Sequence, residues 1–138
     1  MRTSSQMQGI ITRLAERHGL NLQASEAHLR LEKEPYEPLV IEKIGPHLVS
    51  VAHYYEQGGD LVADPDVVFF TGHGDWLPIE ITQAPPGGWV RYVKLSDDGD
   101  DITHVNLVGQ ADLAEFVSLW ASNLEAQGWL EQGKRAAE

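Results

Sequence analysis

The spacing of apolar residues changes period twice along this chain. From about Ala27 to Val108 apolar residues recur at every second position, whereas before and after that stretch they recur at spacings of three and four. A period of two describes a strand with one face buried, and a period near 3.6 describes an amphipathic helix. The pattern therefore predicts an α+β fold: an antiparallel meander sheet of about six or seven strands, with a helix before it and a longer helix after it.

The first helix is read from Met7, Ile10, Ile11, Leu14 and His18, which fall on one stripe. Ser4 or Ser5 can cap its start, and Gly19 suits a left-handed closing residue. Gly9 in its interior costs about 0.5–1 kcal/mol relative to Ala. Expected strands are Ala27–Lys33, Leu39–Ile44, Leu48–Glu56, Asp66–Thr71, Leu77–Gln83, Trp89–Leu95 and Thr103–Val108. Each break between them holds Gly, Pro or Asp, and Ala84-Pro85-Pro86-Gly87-Gly88 is the clearest hairpin. The last helix carries Leu113, Phe116, Val117, Trp120 and Leu124 on one stripe, with Asp112 and Glu115 resembling a capping box and Gly128 as its stop. Both helices would cover one face of the sheet and leave the other face or an edge to a partner. Residues 1–138 read as one domain, with a core over about 5–130 and a polar tail over 131–138 expected to fray.

Composition narrows the functions available. There is no cysteine, which excludes disulfides, thiol nucleophiles and thiolate metal sites. No apolar stretch suits a signal sequence or a membrane span, so the expected location is the cytoplasm, with no membrane partner. Ten Lys and Arg stand against 21 Asp and Glu, a formal charge of −11, which argues against direct binding to nucleic acid phosphates. The imbalance is local. Neither Ile44–Val90 nor Leu95–Gly133 contains Lys or Arg, yet the first holds Glu56, Asp60, Asp64, Asp66, Asp75 and Glu80. The second holds Asp97, Asp98, Asp100, Asp101, Asp112, Glu115, Glu125 and Glu131. Such carboxylates keep a small protein soluble when dispersed, and steer a basic or nucleic-acid-handling protein when gathered on one face.

The densest polar and aromatic stretch is His53-Tyr54-Tyr55-Glu56-Gln57-Gly58-Gly59-Asp60, followed by Asp64-Pro65-Asp66. Alternation sends Val49, Val51, His53 and Tyr55 to one side, and Ser50, Ala52, Tyr54 and Glu56 to the other. His53 then ends an apolar row and either hydrogen-bonds a neighbouring strand or serves as a general base or metal ligand. The chemical reading gathers His53, Glu56, Asp60 and His73 as catalytic candidates, with Asp64 and Asp75 near them in sequence. Its weakness is spacing, since His53 and Glu56 are three apart on a strand and point to opposite faces. The aspartates do not match a calcium loop, and common nucleotide, hydrolase and zinc-protease motifs are absent, so no metal or cofactor is expected. The binding reading takes Tyr54, Tyr55, Glu56, Gln57, Asp60, Asp64, Asp66, Asp75, Asp97, Asp98, Asp100 and Asp101 as a surface for a protein partner. Trp120 reads as core, and Trp76 and Trp89 read as core or as exposed anchors for a partner, core being the more frequent fate.

These segments resemble an uncharacterised domain family of bacterial genomes and mobile elements. The resemblance rests on Pro38-Leu39-Val40-Ile41-Glu42, Ser50 to Tyr55, Gln57, Gly59-Asp60, Asp64-Pro65, Trp120 and Gln127-Gly128, and spans about Pro38 to Gly128. It implies an α+β unit and assigns no activity, cofactor or catalytic residue. One departure is Gly58, where the family often has Asn before Gly-Asp.

Overall fold

The computed structural model describes residues 1–136. The order is α1 (Ser5–Arg17), β1 (His28–Glu32), β2 (Leu39–Gly45), β3 (Leu48–Gln57), β4 (Asp60–Phe70), β5 (Leu77–Gln83), β6 (Gly88–Arg91), β7 (Val93–Leu95), β8 (Ile102–Val105), α2 (Leu107–Ala126), α3 (Trp129–Gln132) and β9 (Lys134–Arg135). Among the described residues no helix is long and apolar enough to cross a membrane.

Seven strands form one antiparallel sheet in the order β6-β5-β4-β3-β2-β1-β9, so six of them follow chain order as a meander. Register is set at the longest hairpin. Gly58 and Gly59 hold φ of 60° and 88°, the left-handed pair a two-residue turn requires, and this fixes Gln57 opposite Asp60. β4 therefore begins at Asp60 and not at the expected Asp66, and Asp64-Pro65 lies within it, where the ladder to β3 shifts register beside His53.

Helices α1 and α2 cover one face. Met7, Ile10, Ile11 and Leu14 of α1 and Leu113, Val117, Trp120 and Leu124 of α2 pack on Leu29, Leu39, Ile41, Val49, Val51, Val67, Phe69 and Ile81. A second, smaller core lies on the opposite face, where β7 and β8 form a two-stranded ribbon over Val68, Phe70, Leu77 and Ile79.

Other boundaries also differ from expectation. The strand foreseen over Trp89–Leu95 breaks at Tyr92, whose N–H bonds the Ile79 carbonyl of β5 while its own carbonyl accepts from Asn106. The chain leaves the main sheet there and starts the ribbon. The last helix starts at Leu107, capped by the Asn106 side chain, which accepts the Gly109 N–H at 3.0 Å; Asp112 and Glu115 are interior positions and form no capping box. Gly109 also lets the Tyr92 ring close on the helix, since a Cβ there would run into the ring. In the segment read as a polar tail, Glu131 and Gln132 finish α3, and Lys134 and Arg135 pair with Glu32 and Leu31 of β1. Residues 137–138 of that expected tail lie outside the described residues.

Candidate functional site on the outer face of the sheet

Beside the ribbon, and meeting it at Val68, the outer face is built from two cross-strand rows. One runs Arg30, Val40, Ala52, Asp66, Thr82 and Trp89, and the other His28, Glu42, Ser50, Val68, Glu80 and Arg91. Small residues make its centre, with Val40, Ser50 and Ala52 buried. Above them stand three carboxylates from three strands: Glu42 on β2, Asp66 on β4 and Glu80 on β5.

Asp66 is half-buried and accepts the Ser50 hydroxyl at 2.6 Å, a diagonal contact across the β3–β4 ladder. Burial pushes its carboxyl above the usual range; Glu80 and Glu42 push the same way, against the Ser50 hydrogen bond. Tyr54, from the same face, is raised by burial and by Asp66 and Glu42. Glu80 has a cation, Arg91 at 3.1 Å, and also accepts the Trp89 indole N–H at 2.9 Å. Among the described residues neither Glu42 nor Asp66 has an ion-pair partner.

The catalytic candidates do not converge. His53 faces the helices, its ring centroid 5.6 Å from that of Trp120 and 5.9 Å from that of Trp129. Its Nδ1 lies 3.1 Å from the Glu37 carbonyl and 3.2 Å from the Pro38 carbonyl, and two acceptors there require Nδ1 to donate. Burial lowers its pKa, the contacts with those carbonyls and the Glu37 charge opposing, which favours the neutral ring. Glu56 and Asp60 are exposed near the hairpin tip, and His73 is exposed in the β4–β5 turn, edge-on to Phe70. Tyr54, Tyr55 and Glu56 line an open groove of about 370 Å³ with Arg30 and Glu37, and His53 does not enter it. Among the described residues no group of three or more His, Asp or Glu is placed to hold a metal ion.

The binding candidates divide into separate groups. Asp64 braces the β5–β6 turn by accepting the Ala84 N–H at 3.2 Å. Asp98 closes the β7–β8 loop, accepting Ser96 Oγ and the Asp100 N–H, and these hydrogen bonds lower its pKa. Asp97 and Asp101 are exposed in the same loop, Asp100 pairs with His47 at 3.1 Å, and Asp75 is exposed in the β4–β5 turn. His47 adjoins Leu48, which lies opposite Phe70, the far end of β4 from Asp60. At about 3.3 Å per residue the hairpin tip and the β7–β8 loop are roughly 30 Å apart, several times the Debye length of about 8 Å. The negative charge therefore forms no single patch; Asp66 and Tyr54 belong to the outer face, Gln57 and Asp60 to the tip, and the Asp97–Asp101 run to the opposite end.

Glu42, Ser50 and Glu80 are site residues that sequence reasoning did not select. The signal that finds them is the hairpin register, which carries alternation from one strand to the next. Trp76 is buried, whereas Trp89 is 59% exposed on β6 and is not core.

Comparison with curated proteins and with solved structures finds no match. A family model described as a domain of unknown function, DUF6908, matches residues 9–130, which takes in most of α1, strands β1 to β8, α2 and the start of α3. The chain belongs to that family.

Proposed function

We propose that the chain is a non-enzymatic binding module whose outer sheet face takes a cationic segment of a partner protein. The observation that carries this reading is Asp66: a half-buried carboxylate between two others, costly to ionise alone, on a face that neither helix covers. A guanidinium or ammonium over Glu42 and Asp66 would offset that repulsion, and Tyr54 stands on the same face beside them. The setting proposed with it is the cytoplasm of bacteria carrying mobile elements, supported by the cysteine-free sequence and the family resemblance.

A nona-arginine peptide titrated against the full chain tests the reading, with the Asp66 carboxyl followed by NMR. Binding should lower the Asp66 pKa, weaken steeply with added salt, and be lost about tenfold in a Glu42→Gln, Asp66→Asn double variant. Removing the same charge elsewhere, with Asp97→Asn and Asp98→Asn, should change affinity much less. Equal losses in the two double variants would reduce the effect to net charge and defeat the proposal.

A further inference from the structure

The two edges of the main sheet are treated differently. At one edge β9 is two residues long and both are basic, Lys134 and Arg135, a short charged edge of the kind that resists further pairing. At the other edge β6 has, among the described residues, a neighbour on one side only, β5, and every residue from Gly88 to Arg91 is exposed. Trp89 is 59% exposed and Val90 40%. No Pro, Lys or bulge interrupts this edge.

Its hydrogen-bonding groups have a definite phase. Tyr92 donates to the Ile79 carbonyl, so in the alternating antiparallel ladder Val90 and Gly88 also turn toward β5, opposite Ile81 and Gln83. The N–H and carbonyl groups of Trp89 and Arg91 then point away from the sheet. These two residues flank Val90 symmetrically. A twofold axis at Val90 sets Trp89 of each chain opposite Arg91 of the other and lets the two pairs exchange four backbone hydrogen bonds.

The side chains suit the same register. Trp89 and Arg91 share the outer face, both contacting Glu80, and within one chain the guanidinium already lies 5.1 Å from the Trp89 ring centroid. Across the axis each ring would meet the other chain's guanidinium, a cation–π pair repeated twice. Leu107 and Val108, 63% and 75% exposed, open α2 beside Tyr92 and extend the apolar surface near this edge. We infer that β6 is an isologous dimer edge, pairing antiparallel with β6 of a second copy about Val90 to continue the sheet across two chains.

The inference goes beyond the cationic-partner reading, and salt separates the two. A chain of charge −11 repels its copy, so dimerisation should tighten several-fold between about 50 and 500 mM salt, whereas binding to a cationic partner weakens. Light scattering on the full chain should show the mass rising from 15.3 kDa toward twice that with concentration. Trp89→Lys places a cation opposite Arg91 of the second copy and should weaken the dimer about tenfold or more. Hydrogen exchange supplies a register-specific readout that needs no variant: amides of Trp89 and Arg91 should gain protection with concentration, while Val90, bonded to β5 throughout, should not. A chain that stays monomeric at about 0.5 mM in high salt, a Trp89→Lys dimer as tight as the parent, or dimer protection at other segments would each overturn the inference.

Discussion

Replacing Trp129 by alanine is expected to cost about 3–5 kcal/mol, a large part of the roughly 5–15 kcal/mol by which a domain of this size is stable. Trp129 is fully buried although it lies in the last tenth of the chain. Its indole N–H donates to the Gln127 side chain at 3.0 Å, and its ring packs near those of His53 and Tyr36 at 5.9 and 6.3 Å. The truncation leaves a cavity where α3, β3 and the turn before β2 meet, and these elements are tied to the sheet, so little collapse can fill it. Trp129→Phe keeps an aromatic ring in place and loses the hydrogen bond and part of the volume, for about 1–2 kcal/mol. Urea denaturation of the parent and both variants gives the series directly. An alanine cost below about 1 kcal/mol would refute the argument that this residue anchors the C-terminal segment in the main core.

Two further outcomes follow from the geometry. The His53 pKa is lowered in the fold, so below about pH 6.5 the unfolded chain binds the extra proton and stability falls as pH drops toward the folded value. His18 acts with the same sign; His53→Phe should therefore flatten the pH dependence of the urea midpoint without abolishing it, by at most about 1.4 kcal/mol per pH unit, and an unchanged slope would contradict a lowered pKa at His53. Gly9→Ala meets no atom within 4 Å and should stabilise α1 by about 0.5–1 kcal/mol, whereas Gly109→Ala drives a Cβ into the Tyr92 ring and should lose a net ~1–2 kcal/mol; thermal melts shifting in the same direction would refute the contrast.

How much of this was legible in the sequence depended on whether a feature is local. Alternation placed Val49, Val51 and His53 on the helix side and Ser50, Ala52 and Tyr54 on the other, and β5 begins and ends where Leu77 and Gln83 suggest. What failed were features decided between segments. Leu107-Val108 reads as the end of a strand, yet the Asn106 side chain starts a helix there because the chain has just crossed Tyr92. Asp64-Pro65 reads as a turn, yet the two-glycine hairpin before it draws the pair into β4. The outer-face carboxylates were hidden for the same reason: Glu42, Asp66 and Glu80 are far apart in sequence and become neighbours only once three hairpin registers are fixed. The long run from Asp97 to Asp101, by contrast, drew attention through mere proximity along the chain, and folding sends it to the end of the molecule away from the HYYEQGGD hairpin.

The pairing of β9 with β1 has a consequence for how the protein is made. The first strand receives its second neighbour from Lys134 and Arg135, so a nascent chain leaving the ribosome carries an unfinished edge at β1 until those residues have emerged. Trp129 arrives just as late, and the ring of His53 waits for it with one side uncovered. Completion of the domain therefore waits for residues 129–135, and a chain lacking them would leave its apolar interior open to chaperones and proteases.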